Sequence, residues 1–171
     1  MFLERIIGVF KLDVNTFEEI EHDPNATVQA AIVVAIVALL GAIGAAIGAV
    51  FGDGSVIGGA IGALVWAFVG WGIWSVVTYF VGTALFKGEA TIEEMLRVIG
   101  FAYAPQFLAV IPCCGWIVGM VWSAVAGFIA IRQGLDLDNT NACLTIIVGF
   151  VVYVIGFAFL NLLGLGMGII F

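Results

Sequence analysis

The chain has 171 residues, of which 64% are hydrophobic and only 10% are charged, and its mean hydropathy is +1.25. A soluble globular domain carries about 45–50% apolar and about 25% charged residues, so this composition excludes a soluble fold and predicts a membrane protein. The net charge is −7, from 12 acidic and 5 basic residues. That balance argues against a nucleic-acid partner, because such proteins need Lys and Arg to displace counterions.

Residues 1–12 predict a short helix that lies in the membrane interface. Phe2, Ile6 and Phe10 share one helical stripe with Leu3 and Ile7, because these positions follow the i, i+3, i+4 and i+7 spacing. Packing of the stripe on the protein's own spans is an equally good interpretation. The candidate interfacial residues are therefore Phe2, Ile6 and Phe10.

Residues 13–26 predict a second short helix and the end of a cytosolic N-terminal unit. Thr16 and Glu19 fit a capping box, so the predicted helix covers residues 17–22. The carboxylates around His22 are interpreted as a solvated face and not as a metal site, because one imidazole without nearby nitrogen or sulfur ligands is a weak metal signature. We expect residues 1–26 to form this unit and residues 27–171 to form the transmembrane domain.

Long apolar segments predict the rest of the fold, an all-α, polytopic membrane protein with a bundle of five transmembrane helices. The predicted spans cover residues 27–51, 56–86, 92–111, 116–133 and 139–162.

Glycines at a spacing of four predict close packing between the first two spans. The pairs are Gly44 with Gly48 and Gly58 with Gly62. Small residues at this spacing let two helices approach closely in lipid, where packing drives association. We expect these four residues to pack the first hairpin, with a dimer contact as the alternative.

The start of the third predicted span carries charge. Thr91 and Glu94 fit a capping box, which predicts a helix start there. Arg97 follows inside the segment, and we expect its long side chain to reach back to the interface.

The middle of the same span carries a proline between polar residues. Pro105 removes one backbone hydrogen bond, and Tyr103 and Gln106 flank the resulting kink. Tyr103, Pro105 and Gln106 are the candidate functional site. The alternatives are a kink that only shapes the bundle and a re-entrant pair of half-spans, which is tolerated where it lies within protein or lines water.

The basic residues predict the orientation. With the N-terminus inside and five crossings, all five basic residues fall on the inner side: Arg5, Lys11, Lys87, Arg97 and Arg132. This arrangement satisfies the positive-inside rule. We therefore expect a multi-pass protein of the cell membrane with a cytoplasmic N-terminus and an outside C-terminus. No ionisable residue then lies at depth, which argues against an ion pump.

Three parts of the chain resemble the Yip-one domain family, the Ypt-interacting proteins, in its compact prokaryotic form. They are the start from Asn15 to Pro24, the helix leading into Tyr103-Ala104-Pro105, and Asn139 to Ala142 before the last span. The resemblance implies a five-helix membrane protein with a cytosolic N-terminus. Eukaryotic members are associated with Rab-type GTPases. This chain lacks their Asp-Leu-Tyr-Gly-Pro motif, so GTPase binding is not carried over.

Three functional hypotheses follow. The first is a non-enzymatic scaffold or accessory subunit that contacts the bilayer and other membrane proteins or itself. The second is a small transporter or channel for a neutral or lipid-like solute. The third is membrane shaping by the N-terminal helix. We expect no catalytic residue, metal or cofactor, because no catalytic or nucleotide-binding motif occurs.

Overall fold

The computed structural model describes residues 1–50, 55–111 and 114–162, and all the regular structure in these ranges is helical. This confirms the predicted all-α class. The helices are α1 (Phe2–Phe10), α2 (Val14–His22), α3 (Ala26–Val50), α4 (Val56–Phe86), α5 (Ile92–Ala102), a 3-10 helix (Ala104–Val110), α6 (Gly115–Gly134) and α7 (Asn139–Leu162).

Four of these helices are long and apolar enough to cross a membrane. The qualifying stretches are Ala26–Gly44, Ile57–Phe86, Gly115–Gly134 and Asn139–Gly156. They overlap four of the five predicted spans. The remaining predicted span, residues 92–111, consists of α5 and the 3-10 helix, so the described residues give one candidate span fewer than predicted.

Pro105 explains why α5 stops. A proline has no backbone N–H to donate to the carbonyl one turn earlier, and its ring clashes with that carbonyl in a continuing α-helix. It is tolerated in the first turn of a helix, and Pro105 lies in the first turn of the 3-10 helix. The sequence therefore places the change of helix type at Tyr103, the residue between the two elements.

Helices α3, α4, α5 and α6 each pack on more than one other helix. Helix α3 packs on α4 and α5, α7 packs on α4, and α6 packs on α5 and the 3-10 helix. A buried apolar cluster joins the N-terminal helices to this bundle. It includes Val9 from α1 and Phe17 from α2 together with Val98 and Ile131. The predicted domain boundary at residue 26 stays a prediction.

One end of the bundle holds most of the charge, and we call it the charged cap (residues 1–25, 87–97 and 132–141). Arg5 is its central residue and is only 3% exposed. Its guanidinium donates to Glu19 Oε1 at 2.7 Å, to Asp23 Oδ2 at 2.7 Å and to Gln29 Oε1 at 3.0 Å. One side chain therefore ties α1 to α2 and to the start of α3.

One sequence prediction in the cap is wrong. Helix α2 begins at Val14 with Asp13 as its N-cap, three residues before the predicted start. Glu19 does not cap this helix because Arg5 holds it. Arg97 is 5% exposed, and its Nη1 donates to the backbone carbonyl of Glu21 in the charged cap at 2.6 Å; its predicted reach to the interface stays a prediction. Helix α2 covers the Arg97 guanidinium. This contact cannot be predicted from the sequence of α5 alone.

Candidate functional site: a cavity inside the bundle

A cavity of about 1060 Å³ lies between α3, α4, α5, the 3-10 helix, α6 and α7. Ligand pockets typically enclose about 300–1,000 Å³, so this space is large enough for a ligand. Most of its wall is apolar, and no Asp, Glu, Lys, Arg or His lines it among the residues that the structure describes. We call it the central cavity.

Four polar side chains with hydrogen-bonding capacity face the central cavity. They are Tyr103, Gln106, Ser123 and Tyr153. Within the described part of the chain, the Ser123 hydroxyl is buried without a hydrogen-bond partner. Buried polar groups usually have a partner, so an unpaired one needs an explanation. The predicted residues Tyr103 and Gln106 thus lie together at one cavity, while Pro105 is buried beside them and shapes the backbone.

Aromatic rings form another part of the wall. Trp66 and Trp74 from α4 line the central cavity, and the Trp74 ring meets the Tyr153 ring edge to face with centroids 6.3 Å apart. Trp71 lies closer to the protein core, where its Nε1 donates to the carbonyl of Leu96 at 3.0 Å. These rings therefore line a space inside the protein as well as contacting neighbouring helices.

Glycines enlarge the central cavity. A Cβ added at Gly41, Gly44 or Gly127 would meet no atom of another element within 4 Å, and all three residues line the cavity. Gly44 therefore borders open space and not a closely packed helix. Gly58 has only Ser55 of its own helix nearby. Close packing at Gly48 and Gly62 stays a prediction.

The close approach of helices occurs at a different set of small residues, which the sequence reasoning missed. A Cβ at Gly115 would lie 2.0 Å from the Leu108 carbonyl oxygen, and one at Gly119 would lie 3.0 Å from the Pro105 carbonyl oxygen. These glycines let α6 lie directly against the 3-10 helix. Ser123 follows at the same spacing of four and reaches the central cavity. The small-residue spacing is visible in the sequence, but nothing local selects it over the others.

The predicted interfacial residues lie on the protein side of α1. Phe2, Ile6 and Phe10 are partly buried against the apolar cluster, and the Phe2 ring contacts Phe101 edge to face at 6.2 Å. Leu3 and Ile7 are 69% and 52% exposed. Helix α1 therefore packs on the protein through one face and presents an apolar face outward.

Within the described residues, the carboxyl groups with shifted pKa values lie in the charged cap. Burial raises the pKa of Glu21 to about 7, and the negative charge of Asp136 adds to this shift. Hydrogen bonding to Arg5 lowers the pKa of Asp23. No group of three metal-ligating side chains occurs in the described ranges. The contacts of the cap are therefore those of a structural element.

Residues 7–162 match the family model of the Yip1 domain, which covers nearly the whole chain. No curated protein and no solved structure matches the chain. With four apolar helices of membrane-spanning length, the match supports a multi-pass membrane protein.

Proposed function

We propose that this chain, which belongs to the Yip1 domain family, binds a neutral, lipid-like molecule inside its helical bundle. The observation that carries the proposal is the central cavity, which is large and mostly apolar and has no Asp, Glu, Lys, Arg or His among the described residues of its wall. Burying an unpaired charge in such surroundings is costly, so a charged ligand is disfavoured. Binding rather than catalysis is the expected activity.

The polar groups of the cavity suit an uncharged head group. The hydroxyls of Tyr103, Ser123 and Tyr153 and the amide of Gln106 can each donate and accept hydrogen bonds. The Ser123 hydroxyl is covered and has no partner among the described residues, so a ligand hydroxyl or carbonyl would satisfy it only by displacing the atoms that cover it. The apolar remainder of the wall would surround a hydrocarbon portion.

A matched pair of glycine variants tests the proposal. Gly127 lines the cavity and Gly156 does not, while neither has an atom of another element within 4 Å of an added Cβ. Gly127→Leu fills the cavity, and Gly156→Leu adds the same bulk elsewhere. The protein would be purified in a mild detergent and its retained lipids identified by native mass spectrometry. We expect the wild type and Gly156→Leu to retain a neutral lipid in stoichiometric amount and Gly127→Leu to lose it. An empty wild-type cavity, or equal retention by both variants, would contradict the proposal.

A second candidate function is a scaffold or accessory subunit whose cavity receives a helix of another membrane protein. Small residues on α3 and α4 favour it, since they allow backbones to approach: Ala38, Gly41, Gly44, Ala63, Ala67 and Gly70. A mild-detergent pull-down with mass spectrometry of stoichiometric partners tests it. A partner that is lost in Gly127→Leu but kept in Gly156→Leu would favour this function over lipid binding.

We also propose that α5 and the 3-10 helix together form a fifth crossing. They pair with α6 at both ends: a Cβ at Gly134 would lie 2.8 Å from Val98, and Gly115 lies against Leu108 and Ile111. At rises of about 1.5 and 2.0 Å per residue, the two elements extend over about 30 Å, the thickness of a bilayer core.

Single-cysteine variants test this topology. Cys114 is exposed at the start of α6, and Lys87 ends α4 at the other end of the bundle. With a membrane-impermeant maleimide and sealed vesicles, Cys114 alone and Lys87→Cys alone should be labelled from opposite faces. Labelling from one face would indicate a re-entrant segment. The predicted outside location of the C-terminus concerns residues beyond the described ranges, and it follows from five crossings with the N-terminus inside.

A further inference from the structure

The wall of the central cavity is shared with a second, smaller space on the surface of α6. This groove has a volume of about 560 Å³ and is lined by Met120, Val121, Ala124, Val125 and Phe128. Met120, Ala124 and Phe128 also line the central cavity. These three residues follow each other at a spacing of four, so they form one stripe along α6. The stripe separates the interior of the bundle from its exterior.

The stripe is thinnest at Ala124. Its methyl group lies between the longer side chains of Met120 and Phe128, and Ala124 is itself exposed. The neighbouring exposed residues of α6, including Ile117, Val118 and Val121, are all apolar. An opening at Ala124 would therefore face the hydrocarbon of the bilayer and not water.

The packing of α6 leaves this side open. Gly115 and Gly119 hold the first half of α6 against the 3-10 helix. The hydrogen bond from Arg132 to Asn139 ties α6 to α7 near the turn that joins them. Farther from that turn, the central cavity lies between the two helices, because Ser123 of α6 and Tyr153 of α7 both line it.

We infer that the central cavity takes an uncharged lipid with a hydroxyl-bearing head, of the diacylglycerol type, and that this lipid enters sideways from the bilayer past Ala124. The head group binds among Ser123, Gln106 and Tyr103, and an acyl chain extends past Ala124 into the α6 groove. This inference rests on the proposed function and adds the ligand class and its route. Ser123 and Ala124 are adjacent in the chain, which places the head-group site next to the opening.

The route is tested with a diacylglycerol that carries a photoreactive diazirine in its acyl chain. The full-length protein is reconstituted into vesicles containing this probe and irradiated at increasing times after mixing, and labelled peptides are mapped by mass spectrometry. We expect labelling of residues 120–128. Ala124→Trp should slow the labelling several-fold, because its ring obstructs the opening. Val118→Trp is the control, since Val118 is exposed on α6 and lines neither space.

The outcomes separate the two proposals. Equal labelling rates for Ala124→Trp and Val118→Trp would overturn the lateral route while leaving cavity binding in place. No labelling of the wild type, or full labelling of Gly127→Leu, would overturn cavity binding and this inference with it. A phosphatidic acid probe with the same tail tests the ligand class. Capture of that charged lipid as efficiently as diacylglycerol would overturn the neutral head group.

The head group has its own test. Ser123→Ala should weaken retention of the diacylglycerol probe by roughly fivefold, the value of one neutral hydrogen bond, without changing the rate at which the probe arrives. Unchanged retention would exclude Ser123 from the head-group site.

Discussion

In the charged cap, the buried Arg5 and Arg97 have hydrogen-bond acceptors at 2.6 to 3.1 Å. In the central cavity, the buried Ser123 hydroxyl has no partner among the described residues. The glycines of the two regions differ in how closely other helices pack against them. Gly100, below the cap, touches Ala30 and Trp71 of neighbouring helices, whereas Gly41 and Gly127 border open space.

The difference in packing and hydrogen bonding indicates that the charged cap stabilises the fold, whereas the central cavity is the proposed site of recognition. Satisfied polar groups and dense packing fix one arrangement of helices, because displacing them would leave charges unpaired. An open space with an unpaired hydroxyl gives the fold no such benefit. In a membrane, where lipid fills outer surfaces, an interior space with hydrogen-bonding capacity is best explained by an occupant.

The largest expected effect comes from removing the centre of the cap. Arg5→Ala should lower the free energy of unfolding by about 3 kcal/mol, the lower end for breaking a buried ion pair. The lower end applies because Glu19 is 59% exposed and regains water. Thermal unfolding in detergent and hydrogen exchange of the α1 amides would measure it. Lys11→Ala, at an exposed position, is the control, and Arg5→Lys should recover only part of the loss because it lacks the planar fork. An unchanged midpoint would mean that the cap does not hold α1.

A pair of glycine substitutions should separate the two regions next. At Gly100 an added Cβ would lie 2.7 Å from the Ala30 Cβ, so α3 and α5 must move apart. We expect Gly100→Ala to cost about 1–3 kcal/mol of stability, as other overpacking substitutions do. Gly41→Ala should cost nothing, because its Cβ meets no atom within 4 Å. Equal losses at both positions, measured as unfolding midpoints, would remove the contrast between a dense region and an open one.

Local patterns in the sequence predict much of the fold. Thr91 and Glu94 form the predicted capping box at the start of α5, with the Thr91 amide donating to Glu94 Oε2 at 2.6 Å. Helix α4 covers the predicted residues 56–86. Such features depend on neighbours within one turn or one apolar run, so they can be read from one segment at a time.

The candidate site was only partly predictable. Pro105 correctly marks a break, and Tyr103 and Gln106 do line the central cavity. The roles of the glycines depend on which helices become neighbours. Gly44 and Gly119 both belong to small-residue patterns of the same spacing, yet only Gly119 lies against another backbone. The burial of Arg97 under α2 joins residues 76 positions apart, which no local pattern contains.

The pH dependence of stability offers a further contrast between the two regions. Burial raises the pKa of Glu21 from 4.5 to about 7, so between these values the folded protein binds more protons than the unfolded chain. Stability is therefore expected to fall as the pH rises from about 4.5 through 7. Glu21→Gln should flatten this slope in unfolding midpoints measured from pH 5 to 8.

Other groups near Glu21 have to be separated from it. Asp136, Glu94, Glu18 and His22 all act on its charge. The pKa of His22 is also raised, chiefly by a hydrogen bond to the Glu18 carbonyl, so His22→Gln is the matched control. A slope that disappears in His22→Gln and persists in Glu21→Gln would assign the titration to the histidine.

The smallest expected effect on stability is at Ser123. Its substitution is the most direct test of the contrast between the charged cap and the central cavity. Removing a hydroxyl that has no partner should not destabilise the empty protein, so Ser123→Ala should unfold at or slightly above the wild-type temperature. Ser75→Ala is the control, because the buried Ser75 hydroxyl donates to the Trp71 carbonyl of the same helix at 2.9 Å. If diacylglycerol raises the unfolding temperature of the wild type and Ser75→Ala but raises that of Ser123→Ala less, the unpaired hydroxyl belongs to ligand recognition. A loss of stability in ligand-free Ser123→Ala would instead show that the hydroxyl holds the bundle together.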